Sequence, residues 1–239
     1  MKLKNHIPNT ITLLNLLSGI FSIYFGMEGN LLFAAYCIFI AAVFDFFDGF
    51  AARMLHAKSD IGGQLDSLAD IVSFGVAPGF IMFQMITLSL GSGFESKLPL
   101  LGFIIPLFSA LRLAKFNVDE NQTDSFIGVP TPTTGLLIAS FPIIVLQNYA
   151  ESQGIYYGIV LNTYFLVGVS VLFSLLMVSP LPMFAIKFKS YGLKENKVQY
   201  IFAIVSLLLA AFLGFAAVPI IVLVYLLISI VLTLVCKKN

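Results

Sequence analysis

This chain reads as an all-α integral membrane protein of about eight crossings, on three grounds. Hydrophobic residues fill 59% of its 239 positions and charged residues only 10%, with a mean hydropathy of +0.99. A soluble domain is nearer a quarter charged. Eight apolar segments approach the roughly 20 residues that a helical crossing needs. When those eight are threaded in order, twelve of the thirteen Lys and Arg residues fall on one side, as cytoplasmic loops require.

The segments are 10–27, 30–55, 62–89, 98–117, 133–149, 156–178, 198–215 and 217–236. The first follows a short polar stretch with no small-residue cleavage site after it, so it reads as a retained crossing and not a removed signal. The second is too long for the bilayer: as a helix it runs about 39 Å, against a hydrocarbon core of about 30 Å. Its surplus lies at the cytoplasmic end. The third carries Gly75, Pro78 and Gly79, which predict a kink. The fourth ends on Arg112 and Lys115, and the fifth begins behind Pro130 and Pro132. The sixth stops before Pro180 and Pro182. The last two are separated only by residues 214–219, and their combined length exceeds one crossing. The polar breaks are too short for a soluble domain, so 1–239 reads as one membrane-embedded domain. Placing the N-terminus in the cytoplasm returns the C-terminus there and leaves Lys97 alone outside.

The net charge of +1 argues nothing about nucleic acid, but no basic stripe exists and no nucleic-acid partner is expected. Cys37 and Cys236 lie in separate apolar runs and read as small packing residues.

Function concentrates in residues 45–70. Five of the twelve acids stand there, and four of them, Asp45, Asp48, Asp66 and Asp70, carry the pattern. Carboxylates inside membrane helices are costly and mark functional sites by default. Asp45 and Asp48 are three apart and share a helix face, as do Asp66 and Asp70, four apart. A turn near residues 56–61 folds the two helices antiparallel and brings the four together at headgroup depth. Arg53 and Lys58 offset two of them at most, so the cluster either raises its pKa values or recruits a cation. All-oxygen ligands select a hard one, Mg²⁺, Mn²⁺ or Ca²⁺, over zinc. Four carboxylates can hold two metals, the arrangement used for displacement at phosphorus. Gly49, Ala52, Gly62 and Gly63 line the same helix pair. They serve either tight helix packing or close approach of a nucleotide to the backbone, and their interleaving with the aspartates favours the nucleotide.

The spacing of Asp45, Asp48, Gly49, Ala52, Arg53, Gly62, Asp66 and Asp70 resembles, without departure, the signature of the CDP-alcohol phosphatidyltransferases. Further segments resemble the phosphatidylserine synthase branch of that family: Pro8-Asn9 with Thr12 and Asn15, residues 73–79, Arg112 to Asn117, Gly128 to Pro132 and Val178 to Pro182. Lys115 stands where an Arg is the commoner choice, which leaves phosphate contact without a bidentate fork. The resemblance implies a transferase that moves a phosphatidyl group from CDP-diacylglycerol to the hydroxyl of L-serine, giving phosphatidylserine and CMP. It implies metal binding by Asp45, Asp48, Asp66 and Asp70, with two Mg²⁺ or Mn²⁺ ions and Asp70 also the general base. It implies a nucleotide pocket near Gly49, Ala52, Arg53, Gly62 and Gly63, joined by Asn15. It further implies a homodimer; the charge sorting turns the active site toward the cytoplasm, which for a prokaryotic chain means the cytoplasmic membrane.

Arg112, Lys115 and Asn117 end the fourth segment. They serve either positive-inside anchoring or recognition of the lipid phosphate or the serine carboxylate. Asp119, Glu120 and Asp124 in the next loop are candidates for the serine ammonium. Residues 183–191 alternate apolar and Lys residues and are expected on the lipid interface. Asp60 falls outside the signature spacing and is expected to tolerate change. Competing readings are the same chemistry with glycerol 3-phosphate or inositol, prenyl transfer, and a divalent-cation channel or carrier. The first brings a phosphate or a bulky polyol and asks for more cations. Prenyl transfer does not need Gly49 and Gly62. A channel or carrier puts its acids near the midplane, whereas these lie toward one face.

Overall fold

The computed structural model describes residues 6–57, 59–91, 96–118, 126–147, 155–184 and 196–236. Their α-helices are α1 (His6–Met27), α2 (Leu31–Met54), α3 (Asp60–Asp70), α4 (Ala77–Leu90), α5 (Ile104–Val118), α6 (Thr131–Gln147), α7 (Ile155–Val160), α8 (Thr163–Val178), α9 (Lys197–Leu213) and α10 (Ala217–Cys236). Five helical stretches are long and apolar enough to cross a membrane: His6–Met27, Leu31–Met54, Asp60–Leu90, Leu98–Val118 and Lys197–Leu234. The helices α6 and α8 are apolar but shorter.

Three stretches are not plain rods. The third apolar segment is one helical stretch of 31 residues whose middle, Ile71–Val76, is π-helical. The Ala77 N–H donates to the Val72 carbonyl, five residues back. Pro78 has no N–H to return to residue 74, so the wider turn before it carries the chain past the proline. The kink expected from Gly75, Pro78 and Gly79 is thus an opened turn just after Asp70, a device frequent at functional sites. The sixth segment is divided, because the Asn162 side chain accepts from the N–H groups of Tyr164 and Phe165 and starts α8 afresh. The last stretch turns at Gly214 (φ +55°) through the 3₁₀ turn Gly214–Ala216. Phe202 and Tyr225, on either side of that turn, bring their rings within 5.9 Å, so α9 and α10 form a hairpin.

The π-helical turn is closely packed against three neighbouring helices. A Cβ on Gly19 of α1 would collide with Ser73, one on Gly75 would come 3.0 Å from Ser109 Cβ of α5, and one on Gly135 of α6 would come 3.0 Å from Phe74 Cα. Small residues let helices approach this closely in a membrane, where packing replaces the hydrophobic drive. Around this turn the core continues through Ile81, Met82 and Met85 of α4 and Leu137, Ile138 and Phe141 of α6. Ala34, Ala35 and Ile38 of α2 and Leu166 and Phe173 of α8 close it. Apolar side chains on the outer faces of α2, α9 and α10 are exposed, as lipid-facing surfaces are.

A short antiparallel pair joins the loops after α5 and α8. Strand β1 (Phe126–Ile127) lies on β2 (Pro182–Met183), with Phe126 opposite Met183 and Ile127 opposite Pro182. The Gly128 N–H donates to the Leu181 carbonyl at 2.8 Å and the Val129 N–H to the Leu176 carbonyl at 3.1 Å. Gly128 holds φ +75°, and a Cβ there would strike the Met177 carbonyl, so only glycine fits. Met183, expected on the lipid interface, is instead buried by this pairing. Residues 185–191 of that segment lie outside the described residues, as do Lys58, Asp119, Glu120 and Asp124.

Candidate active site

The site forms where the last turns of α2 meet the first turns of α3, with α1 packed against both. Two caps fix the meeting. The backbone leaves α2 at Leu55, whose N–H returns to Ala51 and Arg53, and passes through His56 at φ +50°. Ser59 then caps α3, its hydroxyl accepting from the Gly62 N–H at 3.1 Å.

These turns bring Asp45, Asp48 and Asp66 together, with one carboxylate oxygen of each within 4.8 Å of the others. It is the one group of this kind among the described residues. Asp48 is buried and its Oδ2 has no hydrogen-bond partner. Thr12 of α1 lies within hydrogen-bonding reach of the same carboxylate, and exposed Arg53 acts on it across space. A buried carboxylate oxygen without a donor is expensive, and the half-buried Asp45 and Asp66 beside it make three convergent carboxylates that call for a cation. The donor set is all oxygen, so the residues present fit a hard divalent cation better than zinc.

The expected fourfold convergence is three plus one. Asp70 lies a turn further along α3, buried, within electrostatic reach of Asp45 and Asp66. Its Oδ1 accepts from Asn15 Nδ2 at 3.4 Å. Asn15 is fully buried, its carbonyl accepts from the Ser73 hydroxyl at 3.0 Å, and its Oδ1 has no partner. Asn15, expected at the nucleotide, therefore stands beside Asp70.

A cavity of about 650 Å³ opens beside the carboxylates. Asp48, Gly49, Ala52, Gly62, Gly63 and Asp66 line it, together with Asn9, Thr12, Ser67 and Asn117. A Cβ on Gly63 would meet nothing within 4 Å, whereas one on Gly62 would come 3.0 Å from Ser59 Oγ and 3.2 Å from Asn9 Oδ1. Gly63 thus leaves open space and Gly62 permits a close contact. Asn117 is bound in this wall, its Oδ1 accepting from the Ser67 hydroxyl at 3.1 Å.

A second cavity of about 670 Å³ lies on the other side of Phe116, which lines both. Arg112, Lys115, Ile127, Met177, Ser179 and Pro180 are among its walls. Arg112 is buried, donates from Nη1 to the Thr131 hydroxyl at 3.2 Å, and leaves Nε without a partner. Its guanidinium stands 6.0 Å from the Phe116 ring centroid, and Asp70 acts on it across space. Lys115 is exposed at the rim.

Sequence reading missed Ser59, Asp60 and Gln64 in the first cavity and Thr131 beside Arg112. Ser59 carries a readable signal, a Ser just before a helix start. Thr131 belongs to the Gly128 to Pro132 segment singled out above, yet nothing local ties it to Arg112, nineteen residues earlier.

The CDP-alcohol phosphatidyltransferase family model matches residues 5–176. A CDP-diacylglycerol–serine O-phosphatidyltransferase of Bacillus subtilis (strain 168) is 39% identical over 143 residues, 57% of this chain and 76% of that protein. A protein of the same name from Methanocaldococcus jannaschii is 35% identical over 207 residues, 85% of this chain and 82% of that protein. An archaetidylserine synthase of Methanothermobacter thermautotrophicus is 36% identical over 138 residues, 56% of this chain and 57% of that protein.

Proposed function

Because this chain belongs to the CDP-alcohol phosphatidyltransferase family, we propose that it transfers the phosphatidyl group of CDP-diacylglycerol to the hydroxyl of L-serine and releases CMP. The observation that carries this reading is the juxtaposition of two cavities that share Phe116, with Asp70 acting across space on Arg112 between them. On one side lies a glycine-walled cavity against Asp48 and Asp66; on the other lies a cavity walled by Arg112 and Lys115. The relatives named for serine transfer support the acceptor.

The residues divide the work as follows. Asp45, Asp48, Asp66 and Asp70 would hold one or two divalent ions, Mg²⁺ or Mn²⁺. Such ions offset the charge of the diphosphate and of the departing CMP. Gly49, Ala52, Arg53, Gly62 and Gly63 receive the cytidine nucleotide, with the open space at Gly63 admitting it against the α3 backbone. Arg112 binds the serine carboxylate: a small zwitterion needs one buried cation, and the guanidinium has an unused Nε–H. Lys115 attracts anionic groups at the rim, and Asn117 tethers α5 to α3. Asp70 takes the proton of the serine hydroxyl. The serine oxygen then bonds to the phosphorus that carries the diacylglycerol, and the bond from that phosphorus to CMP breaks.

The same reading includes eight alternating crossings with both termini in the cytoplasm, a single domain over 1–239, a homodimer, and a site facing the cytoplasm in the cytoplasmic membrane. The hairpin at Gly214 and the positive-inside sorting support the crossings. The acceptor is tested by giving the purified protein CDP-diacylglycerol with serine, glycerol 3-phosphate or inositol. Phosphatidylserine is the expected product. Preference for either other acceptor contradicts serine while leaving the family standing.

A further inference from the structure

The α9–α10 hairpin lies wholly beyond the residues that the family model matches. By composition α10 is an apolar anchor, yet it carries polar side chains at Tyr225, Ser229 and Thr233, a four-residue spacing that lines one face. Two of them bind one short segment of backbone. Tyr225 Oη donates to the Phe184 carbonyl at 3.3 Å and Ser229 Oγ accepts from the Phe184 N–H at 3.2 Å. Thr233 Oγ1 donates to the Ser229 carbonyl at 2.8 Å and lies 3.4 Å from the Pro182 carbonyl. The Tyr225 ring packs on Phe184 at 5.2 Å and on Phe202 of α9 at 5.9 Å. Tyr225 and Ser229 are buried.

What they hold is a wall of the second cavity. Residues 182–183 pair with Phe126–Ile127, and Gly128 binds Leu181. Ile127, Ser179 and Pro180 face the cavity beside Arg112. A strand of two residues cannot hold itself, so this wall takes its position from what anchors it. Tyr225 also lies within electrostatic reach of Arg112, so the latch ends beside the cation of the cavity.

We propose that the polar face of α10 is a latch that positions the acceptor cavity, with Tyr225 and Ser229 as positioning residues for the anionic group bound at Arg112. This rests on the reading of that cavity as the acceptor site. A structural anchor would affect all substrates alike, whereas a latch on this wall affects the acceptor alone.

The test uses the full chain in detergent micelles containing CDP-diacylglycerol. Tyr225→Phe keeps the ring and removes the hydroxyl, and Ser229→Ala removes one acceptor. Each is expected to raise the acceptor KM about five- to tenfold, the worth of roughly one hydrogen bond. The kcat and the KM for CDP-diacylglycerol stay within twofold of the parent. The double variant is expected to be less than additive, since both residues hold Phe184. Leu227→Ala, on the exposed face of the same helix, serves as the control with unchanged kinetics. An unchanged acceptor KM in both single variants overturns the proposal, as does a parallel loss for both substrates in Ser229→Ala. Should the parent prefer an acceptor other than serine, the serine assignment fails, and the latch is then judged on the KM of that preferred acceptor.

Discussion

Asp70 is one helical turn from Asp66 and yet sits in different company, against Asn15 and facing the charge of Arg112. The two aspartates therefore carry different expectations. Alanine at Asp45, Asp48 or Asp66 removes a member of the oxygen cluster, and each is expected to abolish transfer while the protein still inserts. Asp70→Asn keeps the shape and loses the proton acceptor; kcat should fall about 10²- to 10⁴-fold. Near-normal turnover in Asp70→Asn would contradict its role as base. Gly63→Leu places a side chain into the open space of the first cavity, and KM for CDP-diacylglycerol is expected to rise while metal dependence persists. Much of this was legible before folding, because three- and four-residue spacings fix which carboxylates share a helix face. The division into three and one was not. It depends on Asn15, 55 residues from Asp70 in sequence, reaching across from α1. Asp60 shows the converse limit: it stands outside the signature spacing, yet the turn into α3 sets it in the cavity wall.

The elements were legible where apolar length decides and illegible where a local polar group overrides it. Apolar runs marked all the long helices to within a few residues. The break before α8 came from a side-chain cap at Asn162 in an otherwise unbroken apolar stretch. The π-helical turn came from one proline and three close helix contacts that no single segment records. The β1–β2 pair was invisible, since strands of two residues have no periodicity to read. Its keystone is Gly128, held at positive φ against the Met177 carbonyl. Gly128→Ala combines left-handed strain with a clash, and strain of this kind costs about 1–3 kcal/mol. A lower melting temperature in detergent, together with weaker acceptor binding, is the expected outcome. A melting temperature equal to that of the parent would mean that the loops are not joined in this way.

At the scale of the whole molecule, the site collects the ends of several helices at one face. The start of α1, the end of α2, the start of α3 and the end of α5 meet at the first cavity. The ends of α5 and α8 meet at the second. That sorting agrees with the basic residues, and reporter fusions at Asn30, Gly93 and Gln153 are expected to read as external. Any of them reading as cytoplasmic would overturn the threading and the placement of the site. Total apolar length made the all-helical membrane character legible. Which helices lie side by side is set by packing between distant small residues and was not legible. The central claim, that a carboxylate cluster at this face drives metal-dependent phosphatidyl transfer, is tested most directly by CMP release. Purified protein is stripped with chelator, given CDP-diacylglycerol and serine, and supplied with Mn²⁺, Mg²⁺ or Zn²⁺ in turn, beside Asp48→Ala. The account predicts no release after chelation, recovery with Mn²⁺ or Mg²⁺ but not Zn²⁺, and none from Asp48→Ala under any condition. Full release after exhaustive chelation would contradict it.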